Sequence, residues 1–169
     1  STLNCIDIIS QRKQNNLPVY DFGLGANKLP PPPMFLNKLK SYLNCKEYTT
    51  PDGLPKLNNT IKKVYSTENY NIDNVIFGNG LKELIFILQM AFDGLIFHIN
   101  PSWLSYREQI DILDKRGNLI CLNTVLSNDF KLIPDELENA LSQYKQFNKL
   151  IIFNNPNNPT GGVYTPEET

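Results

Sequence analysis

The sequence predicts an α/β protein built from parallel βαβ units. Three observations lead there. Short apolar runs recur at Val75-Ile76-Phe77, at Leu95-Ile96-Phe97-His98-Ile99, from Asn118 to Leu122 and at Leu150-Ile151-Ile152-Phe153, with little of the polar alternation that marks a half-exposed strand. The stretches between them carry apolar residues at helical spacing. Two of the runs end abruptly in Asn, Pro and Gly, and open α/β sheets bind their ligands just past such strand ends. Alternation of strand and helix from Val75 onward predicts parallel strands joined by right-handed crossovers.

The totals exclude several classes. With 169 residues, 41% of them hydrophobic and 20% charged, the chain can form one domain with a core or part of a larger one. A net charge of -1 offers no attraction to nucleic acid or to an acidic membrane surface. No apolar run approaches the roughly 18 residues of a membrane span, and residues 1–16 lack a signal-peptide core. Cys5, Cys45 and Cys121 form no Cys-x-x-Cys pattern, which suits reduced thiols in a cytoplasmic protein. A single histidine and scattered cysteines assemble neither a metal site nor a Ser/His/Asp triad.

In chain order, Leu3, Ile6 and Ile9 recur every three residues and predict an amphipathic helix from Thr2 to Asn15. Val19 to Asn27 contains Gly23-Leu24-Gly25, and the prolines Pro30 to Pro33 impose an extended connector. Phe35, Leu36, Leu39, Tyr42 and Leu43 then mark a helix with a core-facing stripe. Glu47 to Leu57 reads as a loop with a Pro51-Asp52-Gly53 turn, entering a helix at Pro55 with Leu57, Ile61 and Val64 buried. After the strand candidate Asn74 to Phe77, the turn Gly78-Asn79-Gly80 opens an apolar helix from Leu81 to Phe92. Strand, glycine turn and helix start make an anion site, because the first amides of a helix lack internal partners and the helix dipole favours negative charge there. Lys82 adds a cation. Gly-Asn-Gly-Leu-Lys-Glu has no third glycine, so a dinucleotide fingerprint is a poor match.

His98 lies inside the next strand and reads as a satisfied core residue. That strand ends in Asn100-Pro101-Ser102-Trp103, where Trp103 opens a helix with Tyr106, Ile110 and Leu113 on its buried face. Pro134 starts another helix, with Asp135 and Glu136 in its first turn and Leu137, Ala140, Leu141 and Tyr144 in one stripe. Lys149 to Phe153 is the last strand. Its exit is Asn154-Asn155-Pro156-Asn157-Asn158-Pro159-Thr160-Gly161-Gly162.

Asn158-Pro159-Thr160-Gly161, with Asn157 before it and Thr165-Pro166-Glu167-Glu168 after it, resembles the signature of the class I/II aminotransferases, pyridoxal 5'-phosphate (PLP) enzymes of fold type I. Three further stretches resemble that family in the family's order: Tyr48 followed by Gly53-Leu54-Pro55-Lys56-Leu57, the Gly78-Asn79-Gly80 turn, and Pro101-Ser102-Trp103-Leu104-Ser105-Tyr106. The resemblance implies an amino-terminal arm and small-domain segment over residues 1–45 and the amino-terminal part of the large PLP-binding domain over 46–169. It implies that Gly80, Leu81 and Lys82 cradle the cofactor phosphate, that Trp103 stacks on its ring, and that Asn158 donates to its phenolic oxygen. Tyr48 would reach the phosphate of a neighbouring subunit in a homodimer, and Gly25 would lie beside the substrate carboxylate. Leu81 departs from the small or hydroxyl residue that many relatives carry in this turn.

The activity this implies is transfer of an amino group between an amino acid and a 2-keto acid. In the resembling enzymes the Schiff-base lysine and the ligands of the pyridine nitrogen and substrate carboxylate follow the Asn-Pro-Thr-Gly loop, whereas Val163 to Thr169 contains no lysine or arginine. The expectation is a truncated large domain that is inactive alone, with Val75 to Phe77 lacking its strand neighbours. Rival expectations are another fold type I PLP enzyme such as a decarboxylase or carbon-sulfur lyase, a noncatalytic PLP-binding regulatory domain, and a PLP-free nucleotide-binding domain.

Overall fold

A computed structural model describes residues 2–21, 25–68 and 70–169, and the side chains from residue 5 onward within them. Leu3 and Gly23 therefore fall outside the described side chains and residues. The chain forms two compact units, Ser1–Tyr48 and Thr49–Thr169.

The first unit carries α1 (Thr2–Gln14) and α2 (Pro33–Ser41). The Arg12 guanidinium, in the last turn of α1, donates to the Pro18 carbonyl at 3.1 and 3.2 Å and closes the helix exit. Proline at the first position of α2 costs no hydrogen bond, because that N–H would have no helical partner. The helix forms where the spacing predicts it, but its apolar stripe is not core. Phe35, Leu36, Leu39, Tyr42 and Leu43 are all exposed, because nothing among the described residues covers that face enough to bury it.

The second unit contains α3 (Pro55–Tyr65), α4 (Leu81–Ala91), β1 (Leu95–Asn100), α5 (Leu104–Ile112), β2 (Leu119–Asn123), α6 (Pro134–Ser142) and β3 (Lys149–Ile152). The three strands form a parallel sheet in the order β2-β1-β3. In the middle strand His98 stands opposite Cys121 on one side and Ile152 on the other. Alternation splits β1 between two faces. Leu95, Phe97 and Ile99 join Leu122 in the core that α6 covers with Leu137, Ala140 and Leu141, and Tyr144 meets Phe97 edge-on at 6.2 Å. Ile96 and His98 occupy the opposite face, where Tyr106 of α5 packs against His98.

The entrance to β1 requires glycine. Gly94 has φ +151°, and a Cβ there would lie 2.4 Å from the Asn148 carbonyl oxygen, the same oxygen that accepts the Leu95 N–H at 2.9 Å. This close approach starts the β1–β3 ladder.

Two expectations are corrected. Asn74 to Phe77, a strand candidate expected to lack its neighbours, forms no strand: it has no ladder partner among the described residues, Ile76 and Phe77 are exposed, and an apolar run alone cannot satisfy its backbone. Of the predicted α3 stripe, Leu57 and Val64 are exposed and Ile61 is half-buried, because that stripe meets no covering layer among the described residues.

Candidate functional site

The crossovers leave the sheet on opposite faces. From β1 the chain runs through α5, on the His98 face, to β2; from β2 it returns through α6, on the Phe97 face, to β3 at the other side of β1. Between β1 and β3 the strand order reverses, and the crevice outside the strand ends at such a reversal is where open α/β sheets take their ligands. The two exit loops meet there. The Asn157 side-chain N–H donates to the Pro101 carbonyl at 3.0 Å and to Thr160 Oγ1 at 2.9 Å. The Asn157 and Gly162 backbones close the loop, with Asn157 N–H to Gly162 O at 2.9 Å and Gly161 N–H to Asn157 O at 2.8 Å. Asn154 completes the frame: with its amide oriented by its partners, it accepts from the Asn158 N–H at 3.0 Å and donates to the Pro156 carbonyl at 3.2 Å. The backbone of Asn158 is thus held while its residue stays exposed. The Asn100–Pro101, Asn155–Pro156 and Asn158–Pro159 peptide bonds are cis. A small cleft lies at this junction, lined by Ile99, Ile152, Phe153, Asn154, Asn157 and Tyr164 among others.

The start of α4 is open. Gly80 precedes it with φ +113°, and no atom lies within 4 Å of where a Cβ would stand. No side chain caps the helix. The first ladder bond runs from the Leu84 N–H to the Gly80 carbonyl at 3.4 Å, so the amides of Leu81, Lys82 and Glu83 precede the helical bonding pattern. The Glu83 carboxylate folds back onto the Asn79 N–H at 2.7 Å and takes that donor out of the turn. Leu81 is exposed and offers no polar side chain.

Lys82 connects this helix start to the aromatic edge. Its ammonium nitrogen lies 5.4 Å from the centre of the Trp103 indole. Trp103 meets Tyr106 edge-on at 5.5 Å, and Tyr106 tilts against His98 at 5.8 Å. A file of rings therefore runs from the buried middle of the sheet to the ligand edge. Burial, reinforced by the charge of Arg107, lowers the His98 pKa to about 4, and burial raises that of the Tyr106 hydroxyl. His98 is core, as its place in the strand predicts, yet not satisfied: it is 1% exposed and its Nε2 has no partner among the described residues.

Of the residues singled out from sequence, Gly80, Leu81, Lys82 and Trp103 gather at one edge, and the Asn158 loop is tied to the Trp103 loop through Asn157 and Pro101. Tyr48 closes the first unit with its side chain fully exposed, and Gly25, also there, is exposed with open space around its α-carbon. Sequence reasoning missed the tether made by Asn157 and a buried amide pair, Gln89 and Gln109. A signal existed: Gln109 stands three residues after Tyr106, on the face expected to be apolar. The arrangement offers amides and a cation for an anion, an indole face for a flat ring, and an amide for an oxygen. No group of three or more His, Cys, Asp or Glu suited to a metal occurs among the described residues, and no helix there is long and apolar enough to cross a membrane.

The model of the family "Aminotransferase class I and II" matches residues 13–169. Among curated relatives, a Rickettsia typhi protein named "Probable aspartate/prephenate aminotransferase" is 34% identical over 129 residues, covering 72% of this chain and 31% of that protein. The Bacillus subtilis "Aspartate aminotransferase" is 31% identical over 128 residues, with the same shares. The chain thus spans about a third of the length of these relatives. Among solved structures, the aspartate aminotransferase of Rhizobium meliloti superposes with a TM-score of 0.75 at 21% identity, over 98% of this chain and 42% of that one. That of Thermus thermophilus with maleate gives 0.74 at 20% identity, over 98% and 44%. These structures share the fold, that of the fold type I aminotransferases, and cover it with less than half their length.

Proposed function

Because the chain belongs to the class I and II aminotransferases, we propose that the protein carrying it binds pyridoxal 5'-phosphate and transfers an amino group between an amino acid and a 2-keto acid. The observation that supports this best is the contact of Lys82 with Trp103 beside an uncapped helix start. A phosphate needs donors and positive potential, which the first amides of α4 and Lys82 supply. A pyridine ring needs a flat apolar face, which Trp103 supplies. The residues present fit the group.

When bound, such a cofactor would supply an electron-withdrawing ring, an electron sink for chemistry at an amino acid's α-carbon. The chain's own residues bind and orient. Gly80, Leu81 and Lys82 hold the phosphate end, Trp103 limits the tilt of the ring, and the Asn158 amide donates to the phenolic oxygen from a backbone that Asn154 and Asn157 hold in place. Two residues of the first unit enter on the family likeness alone. Gly25 leaves its backbone open to a substrate carboxylate, and Tyr48 serves the phosphate of a neighbouring subunit in a homodimer. Lys82 keeps the anion role and is not the lysine that bonds covalently to the cofactor. Three free cysteines accord with action in the cytoplasm.

The test is titration of the protein with PLP, followed by absorbance, and an assay of keto-acid formation from a panel of amino acids with 2-oxoglutarate. Saturable binding that competes with inorganic phosphate is expected. Absence of saturable binding in the wild type sinks the reading.

A further inference from the structure

Gln89 and Gln109 are buried, at 0% and 5% exposure, in a unit where α4 packs on α5. An amide is costly to bury unless it is bonded, and Gln109 uses both ends of its side chain. Its Oε1 accepts from Gln89 Nε2 at 2.7 Å, and its Nε2 donates to the Lys82 carbonyl at 2.8 Å. Apolar side chains would join two helices at many heights. A hydrogen bond to one carbonyl in the first turn selects a single height.

The other end of α4 is held from the same side. Lys115 Nζ, just past α5, donates to the carbonyls of Gln89 at 2.9 Å, Met90 at 2.8 Å and Phe92 at 2.8 Å. The segment that begins at Trp103 therefore grips α4 at both ends. Trp103 immediately precedes α5, and the residue that Gln109 grips is the one whose ammonium lies over the Trp103 ring.

We infer that Gln109 is a positioning residue for an anionic ligand group: by holding the Lys82 carbonyl it sets the spacing between the amides at the start of α4 and the face of Trp103. The inference rests on the PLP reading above. A ligand whose phosphate is joined to a rigid ring by a short linker can engage both ends only at one spacing, so an error there costs phosphate contact and spares the ring. Gln109 touches no ligand itself. It acts through Lys82.

The experiment compares PLP with pyridoxal, which lacks the phosphate, on the whole protein. The variant is Gln89→Leu with Gln109→Leu; replacing both partners leaves no orphaned amide and preserves the helix contact. Gln109→Met, of similar length and without a donor, serves if the double variant does not accumulate. PLP affinity is expected to fall about tenfold while pyridoxal affinity changes by less than about twofold, and Gln89→Leu alone, which keeps the donation to Lys82, retains the wild-type preference. An unchanged ratio of PLP to pyridoxal affinity in the double variant, or an equal loss of both, overturns the inference and leaves the PLP reading standing. A wild-type protein that does not prefer PLP to pyridoxal overturns both.

Discussion

The Lys82 ammonium stands 5.4 Å from the centre of the Trp103 ring, which places a positive charge between an open helix start and an aromatic face. A cation over an indole is attracted by the ring's electron-rich face, by about 0.5–1 kcal/mol at an exposed site. That is enough to bias an otherwise mobile lysine toward the ligand edge and too little to hold it against a phosphate. Lys82 can thus wait on Trp103 and turn to an arriving anion.

Trp103→Ala is expected to weaken PLP binding by about tenfold or more, since both the apolar face and the stacking contribution of roughly 0.5–1.5 kcal/mol are removed. Trp103→Phe keeps a flat face and should retain most of the affinity. Absorbance titration decides. An alanine variant that binds as tightly as wild type means the ring lies elsewhere.

Asn157 and Asn158, neighbours in one motif, should separate by phenotype. Asn157 is half-buried and spans the Pro101 carbonyl and Thr160 Oγ1, so Asn157→Ala should cost about 1–2 kcal/mol of stability. Asn158 is exposed, so Asn158→Ala should leave stability within about 0.5 kcal/mol while weakening PLP binding. Urea unfolding beside ligand titration reads both, and the reverse pattern would exchange the two roles.

What the sequence disclosed follows from how local each signal is. The six α-helices and three paired strands among the described residues were legible because period and terminal residues are local: Pro55 and Pro134 begin α3 and α6, and Gly80 precedes α4, whereas Pro33, read as the end of the extended connector, is the first residue of α2. Burial was less legible. Leu39, Leu57 and Val64 have the spacing of a core stripe but remain exposed, since a stripe records what a helix could bury and not what lies across from it. Val75 to Phe77 failed as a strand for the same reason, because pairing belongs to two segments. At the site, the glycine turn announced itself through backbone chemistry, whereas the Asn-Pro-Thr-Gly loop, an ordinary turn by composition, stood out by its resemblance to the family signature. The Asn157 bond to Pro101 and the Gln109 bond to Lys82 join segments far apart in the chain, and no spacing rule reaches that far.

Gly94→Ala tests the entrance to the sheet. The new Cβ would lie 2.4 Å from the Asn148 oxygen at a φ of +151°, so either β1 or β3 must move and the Leu95 bond to Asn148 is lost. Clash, backbone strain and a lost bond together predict destabilisation of about 2 kcal/mol or more. Gly117→Ala is the control, with open space around its α-carbon and no positive φ. Equal unfolding midpoints for the two variants would refute the close approach.

His98 predicts a stability that depends on mild acid. Its pKa is about 4 in the folded protein against 6.5 for an ordinary histidine, through burial first and Arg107 second. Between these values the unfolded chain binds more protons than the folded one, so stability is complete above 6.5, falls as the pH drops, and levels off below 4. From pH 7 to pH 5, above most of the carboxylate titration, the loss should be about 2 kcal/mol. His98→Leu places an apolar side chain among Tyr106, Cys121 and Ile152 and should flatten that slope. Since this is the single histidine, the difference between the two curves belongs to it. Parallel curves would mean that His98 is solvated or paired in solution. The consequence reaches the site, because Tyr106 stands between His98 and Trp103: acid that loosens the buried ring should weaken PLP binding in the wild type and spare the leucine variant.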